Sequence, residues 1–209
     1  EDHTGFQMMY LRRGGGYYFN VGCSDLIARG EIGLLSFDDI ECFEAGGARL
    51  RDGRTVGADL LVLCVPVGAM PELVAAALEA GLPATCLVTD VGSVKQAPHR
   101  ELAPLLAAKG MDFIGSHPMA GSERNGLAAT SASLFEGAAC LLTHEGESAG
   151  PRGAALETFW KSVGCHTAWM SPTAHDALVA RISHLPHLIA ASAARVCLKN
   201  PADGRFGGG

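Results

Sequence analysis

The sequence predicts an α/β fold: a partial Rossmann-like, mostly parallel sheet, with a small β-meander before it and the start of an all-helical domain after it. Three observations carry this. From residue 59 onward, short apolar runs that end in turns alternate with Ala/Leu-rich helical stretches. Residues 1–57 lack that alternation and hold short apolar pieces broken by turn residues. From Thr173 to about Asn200 one helical pattern runs with no strand. The boundaries that follow are 1–57, 58–171 and 172–209.

The elements follow in order. In the first segment, Gly14-Gly15-Gly16 and Tyr17-Tyr18-Phe19 precede apolar pieces at Gly33–Phe37, Ile40–Phe43 and Ala48–Leu50. Arg51-Asp52-Gly53-Arg54 then carries an Asp-Gly hairpin signal. Leu60–Val65, ended by Pro66, reads as a strand buried on both faces. Residues 70–80 form a helix with Pro71 in its first turn. Ala84–Thr89 is a second strand, closing on Asp90-Val91-Gly92-Ser93, and residues 97–109 a helix ending at Gly110. Met111–Gly115 is a third strand and Ala138–Thr143 a fourth; Gly153–Val163 is a helix, and Cys165–Met170 a fifth strand. In the last segment Leu178, Ile182, Leu185 and Ile189 make an apolar stripe, which Pro186 should kink. Asp176, Ser183 and His187 fall on another face, and the stripe has to pack on something.

Composition narrows the function. The 209 residues are 48% hydrophobic, enough to bury a core, and carry a formal charge of −6 with no Lys/Arg block. That excludes general affinity for nucleic acid or an anionic membrane. No apolar run reaches the ~18 residues of a membrane span. The chain starts without Met, has no signal peptide, and stops at Gly207-Gly208-Gly209, which reads as a truncation. Seven scattered cysteines with no C-x-x-C point to free thiols in a reducing compartment, the cytoplasm, and to no zinc site.

Ligands bind α/β sheets at loops after the carboxyl ends of parallel strands. Three such loops have unusual content: Val65-Pro66-Val67-Gly68, Asp90-Val91-Gly92-Ser93-Val94-Lys95, and Gly115-Ser116-His117-Pro118-Met119-Ala120-Gly121-Ser122-Glu123. A fourth cluster, Ile182-Ser183-His184-Leu185-Pro186-His187, comes from the helix. Two serines and two or three histidines converging on one crevice suit proton transfer to or from a small polar substrate beside a dinucleotide. Each has a plainer reading. His117 sits before a proline like a capped turn; Ser93 suits the cap of the next helix; Asp90 suits a turn former and Lys95 a solvated first-turn residue. His184 and His187 suit helix packing, and His175-Asp176 reads as a helix-start capping pair as much as a site. No carboxylate pair, nucleophile elbow or metal spacing competes.

In combination these stretches resemble the prephenate dehydrogenase family, which includes arogenate dehydrogenases. The carrying residues are Ala58–Val67, Asp90–Lys95, Phe113–Gly126, Phe159-Trp160, His175-Asp176 and Ile182–His187, in the family's order over residues 58–209. The resemblance implies NAD- or NADP-dependent oxidative decarboxylation of prephenate (or arogenate) in tyrosine biosynthesis, by a homodimer. His117 matches the histidine that takes the ring-hydroxyl proton, and Ser93 the serine that holds that hydroxyl. Ser116, Ser183 and His187 match substrate-lining positions; Val65, Pro66, Val67, Asp90 and Gly92 match the cofactor side.

Two departures stand out. The family's first βαβ unit, with its Gly-rich pyrophosphate loop, is missing, since Gly14-Gly15-Gly16 is not G-x-G-x-x-G. The family's later helices and a carboxylate-gripping arginine lie past Gly209. Residues 12–61 instead resemble the late part of a flavin-dependent monooxygenase, so that the chain reads as a chimera joined at residues 58–63. Two other readings stay open: a fragment that binds no dinucleotide, and a flavoprotein fragment.

Overall fold

A computed structural model describes residues 39–44, 47–121, 133–146 and 149–197. The glycine triplet at 14–16, the stretches at 17–19 and 33–37, the Ser122–Gly126 end of the third loop and the terminal glycines lie outside the described residues.

The meander is present as β1 (Ile40–Glu44), β2 (Gly47–Leu50) and β3 (Thr55–Val56), all antiparallel. The Asp-Gly signal marks its hairpin. Gly53 takes φ +85°, and the Leu50 N–H donates to the Arg54 carbonyl at 2.7 Å. The Asp52 carboxylate accepts from the Arg54 N–H at 3.0 Å.

The main sheet runs β4 (Leu60–Leu63), β5 (Leu87–Asp90), β6 (Gly115–Pro118), β7 (Ala139–Thr143) and β8 (His166–Met170). β4 and β5 pair in parallel, and a parallel bridge from Val88 to Phe113 leads into β6. β6 and β7 pair antiparallel, and β7 and β8 in parallel. The sheet is thus mostly parallel in its pairings, with its last two strands reversed. The crossovers are α1 (Met70–Glu79), α2 (Gln96–Ala107) and α3 (Gly150–Ser162).

Side chains alternate between two cores, as the period of a strand demands. On one face Leu63, Val88 and Phe113 pack with Met70, Val74, Leu102 and Leu106 of α1 and α2. On the other Leu87, Ile114, Cys140 and Leu142 pack with Leu156 and Trp160 of α3. β4 departs from expectation. Leu60, Leu61 and Val62 are half-buried, because among the described residues only β5 pairs with this strand. The third strand also runs past its expected end at Gly115, so that His117 stands on a strand, opposite Leu141.

The expected single helix from Thr173 divides in three. α4 (Pro172–Val179) opens on Ser171, whose hydroxyl accepts from the Ala174 N–H at 3.1 Å. A π turn (Ala180–His184) follows, closed by the Leu185 N–H on the Ala180 carbonyl, and α5 (Leu185–Cys197) continues. Pro186 explains the break: it has no N–H for the Ile182 carbonyl and its ring crowds that group, so the preceding turn widens. No described helix is long and apolar enough to cross a membrane.

Candidate active site

His117 is held between rigid neighbours. Gly115 and His117 share the face of β6 that looks toward α2 and α4. The His117 and His175 rings meet with Nδ1 and Nε2 2.9 Å apart. The Nδ1 of His175 lies 2.8 Å from the Asp176 carboxylate. That carboxylate also accepts from the backbone N–H groups of Lys95 at 2.7 Å and Gln96 at 3.0 Å. The first turn of α2 has no side-chain cap of its own. Asp176 supplies one from about 80 residues away in sequence, satisfying two orphan donors and opposing the positive end of the helix.

Beside it lies a buried ion pair. Lys95, at the start of α2, folds its ammonium under β6 onto the Asp90 carboxylate, 2.5 Å away, and both side chains are 0% exposed. Asp90 Oδ2 also accepts from the Gly92 N–H at 2.9 Å, and Oδ1 from the Ser116 N–H at 3.4 Å. One carboxylate therefore fixes the β5–α2 loop to β6. Gly115 makes room for this: a Cβ there would sit 2.8 Å from Lys95 Cδ and 2.4 Å from Thr143 Oγ1. Thr143 in turn holds the His99 ring at 2.9 Å.

Burial sets the charge states. Desolvation, reinforced by Lys95, His175 and His184, lowers the His117 pKa to about 3. Desolvation and Lys95 take His99 to about 4. Burial lowers His175 as well, although Asp176 opposes it. Partial burial of Asp176 works against its charge, but the hydrogen bonds from His175, Gln96 and Lys95 outweigh it and hold this carboxyl below its ordinary value. Near pH 7 the imidazoles of His117 and His175 are neutral and Asp176 is an anion.

The expected residues divide by placement. Ser93 is exposed in the β5–α2 loop pinned by Asp90 and Lys95. Val65 and Val67 are half-buried and Pro66 exposed in the turn after β4. A Cβ on Gly92 would stand 3.2 Å from the Val67 side chain, which sets these two loops against each other. Ser183 is half-buried in the π turn, and His187 is exposed with its Nδ1 2.8 Å from the Ser183 carbonyl oxygen.

Other placements differ from expectation. Lys95 is interior, because Asp90 waits beneath it and Gly115 leaves it space. Ser93 is not the helix cap. Asp90 and Ser116 were expected to touch bound molecules, but both side chains are fully buried and engaged inside the protein. The Ser116 hydroxyl lies 2.7 Å from Thr89 Oγ1 and accepts from the Trp160 indole N–H at 2.9 Å, on the face of the sheet opposite His117. His175 and Asp176 carry more than the capping expected of them. The signal for their position was local: Ser171-Pro172 starts a helix and sets His175 and Asp176 at the end of its first turn and the start of its second.

A cofactor fit can be tested on these residues. The loops after β4 and β5 lie close together where Gly92 faces the Val67 side chain, and such an edge suits a flat apolar ring. No glycine-rich helix N-terminus for a pyrophosphate is present among the described residues. The first-turn N–H groups of Lys95 and Gln96 are taken by Asp176.

The family described as "Prephenate dehydrogenase, nucleotide-binding domain" matches residues 43–169, beginning within the segment 1–57 that the sequence reading sets apart. A cyclohexadienyl dehydrogenase from Zymomonas mobilis is 38% identical over 133 residues, 64% of this chain and 44% of that protein. A prephenate dehydrogenase from Bacillus subtilis is 34% identical over 173 residues, 83% of this chain and 44% of that protein. The crystal structure of prephenate dehydrogenase from Aquifex aeolicus in complex with hydroxyphenyl propionate and NAD+ superposes with a TM-score of 0.64 at 30% identity, covering 90% of this chain and 63% of that one. The chain therefore spans less than half the length of these curated relatives. With the family match extending over more than half of its residues, the chain belongs to the prephenate dehydrogenase family.

Proposed function

We propose that this chain is the catalytic part of an NAD(P)-dependent prephenate or arogenate dehydrogenase. The observation that carries the reading is the strand-mounted His117 imidazole, which His175 and Asp176 tie to the Lys95 N–H at the end of the β5–α2 loop. The related Aquifex aeolicus enzyme was solved with NAD+ and a hydroxyphenyl ligand, which supports the same two classes of bound molecule here. A bound nicotinamide would supply the acceptor for the hydride that leaves the substrate's ring carbinol carbon.

The chain's own residues do the rest. Val65, Pro66, Val67 and Gly92 hold the flat ring against the sheet edge. Ser93 holds the substrate hydroxyl, and His117 takes its proton as the carbon–hydrogen bond breaks, a role worth about 10²–10⁴-fold. Loss of carbon dioxide then aromatises the ring, and the proton returns to the phenolic oxygen. Prephenate and NAD+ thus become 4-hydroxyphenylpyruvate, carbon dioxide and NADH. Ser183 and His187 line the substrate from the helical side. The exposed apolar face of α5 supports a homodimer, and the free thiols of Cys86, Cys140 and Cys165 support the reducing cytoplasm.

Absorbance of NADH on mixing the chain with prephenate and NAD+ or NADP+ tests the reading. Turnover is expected once a relative's Gly-rich βαβ unit and C-terminal helices complete the chain, with His117→Asn losing at least about 10²-fold. No turnover from that completed chain would overturn it.

The monooxygenase likeness of residues 12–61 is a second proposal. It draws support from the antiparallel meander that opens at β1 before β4, while the family match from residue 43 already takes in β2 and β3. Continuous sequencing of the source gene across codons 50–70 tests it, and an uninterrupted dehydrogenase frame upstream would sink it.

A further inference from the structure

The hydrogen bonds around His117 have a direction that can be worked out from their far end. The Asp176 carboxylate accepts two backbone N–H groups, from Lys95 and Gln96, at the N-terminus of α2. It is an anion in that setting and has no proton to give. The short contact to His175 Nδ1 therefore requires a proton on that nitrogen. A neutral His175 then has only a lone pair at Nε2. Its contact with His117 Nδ1 requires the proton to sit on His117. That leaves His117 Nε2 as the nitrogen with the free lone pair.

We propose that His175 and Asp176 are positioning residues: through this directed chain they hold His117 in the Nδ1–H tautomer, ready to accept a proton at Nε2. The opposite polarity, with a doubly protonated His175 donating to His117, would put the His117 proton on Nε2 and disable it as a base. When Nε2 takes up a proton, the new positive charge is one imidazole removed from a carboxylate that backbone dipoles already fix, so no group has to reorganise. Lys95, Asp90 and His184 also face this cluster, and the buried Lys95–Asp90 pair keeps the lysine charge matched. The assignment of roles rests on the dehydrogenase reading, but the tautomer itself does not.

The test is long-range proton–nitrogen NMR of the full chain carrying ¹⁵N-histidine, at pH 7.5 without ligand, with His117 identified by its loss in His117→Gln. The expected result is a protonated Nδ1 and a bare Nε2 on His117. His175→Ala removes the acceptor and should give mixed tautomers. His175→Gln offers an amide oxygen in the acceptor's place and should keep the Nδ1–H form. A bulk packing role would not separate the two variants in this way. A wild-type His117 protonated at Nε2, or a tautomer unchanged in His175→Ala, would overturn the proposal. Should His175→Ala fail to fold, the wild-type spectrum and Asp176→Asn, which should disturb the same tautomer, still decide it. Prephenate turnover is measured on the same samples. If the tautomer behaves as expected and the completed chain turns nothing over, the relay stands and the dehydrogenase reading falls.

Discussion

Replacing Lys95 by Met would strand the Asp90 carboxylate in an interior where, among the described residues, the Gly92 and Ser116 N–H groups remain to it. Breaking a buried pair from one side costs about 3–5 kcal/mol, so Lys95→Met should lower the urea midpoint sharply, and adding Asp90→Asn should recover much of the loss. A single variant as stable as the parent would show the pair to be dispensable. The histidines predict a pH dependence. His99 and His117 have folded pKa values of about 4 and about 3, below the ordinary 6.5 that the unfolded chain restores. Between those limits the unfolded state binds more protons, so stability is full above pH 6.5 and falls as pH drops toward 4. Each fully responding histidine adds a slope of at most about 1.4 kcal/mol per pH unit. Urea midpoints at pH 7 and pH 5 should show the fall, and His99→Gln should reduce it. At this scale His117 was legible in the sequence because its neighbours form a dense motif. Lys95 was not, since nothing local distinguishes a first-turn lysine in water from one drawn beneath a strand. Its burial depends on a carboxylate five positions back and a missing Cβ twenty positions on.

Apolar runs and their bounding turns made the strands readable as elements. Their directions were not, because a run of Leu and Val reads alike both ways. The antiparallel pairing of β6 with β7 therefore shows only in the structure. The β6 register is sensitive for the same reason that it is useful. Gly115→Ala would force a methyl into Lys95 and Thr143, and should cost about 1–3 kcal/mol by overpacking, read as a lower thermal midpoint. Pro186 was legible as a break, but its consequence, a π turn bearing Ser183 and His184, was not. Pro186→Ala restores an amide donor to an exposed helix. The thermal midpoint should therefore rise while turnover by the completed enzyme falls, because the turn that sets Ser183 relaxes. A rise in both would show that the widened turn has no bearing on substrate.

At the scale of the molecule, the most exposed large apolar side chains among the described residues stand on the π turn and α5. Leu188 is 65% and Ile189 59% exposed on α5, with Leu185 and Ile182 close behind. A monomer rarely leaves such a patch uncovered. Sedimentation equilibrium should find self-association that Leu188→Glu weakens by at least about tenfold, the equivalent of about 1.4 kcal/mol. A monomer at all concentrations would show that α5 joins no second copy of the chain. The sequence pointed to this face through the stripe from Leu178 to Ile189, since helical spacing is visible without coordinates.

The two tryptophans sit in opposite circumstances. Trp160 is 3% exposed, with its indole N–H tied to Ser116 directly behind the strand that bears His117, whereas Trp169 is 39% exposed. The protein thus carries its own optical gauge. Acrylamide should quench the red-shifted emission of Trp169 first and leave a blue component from Trp160, whose intensity reports on the packing directly behind β6.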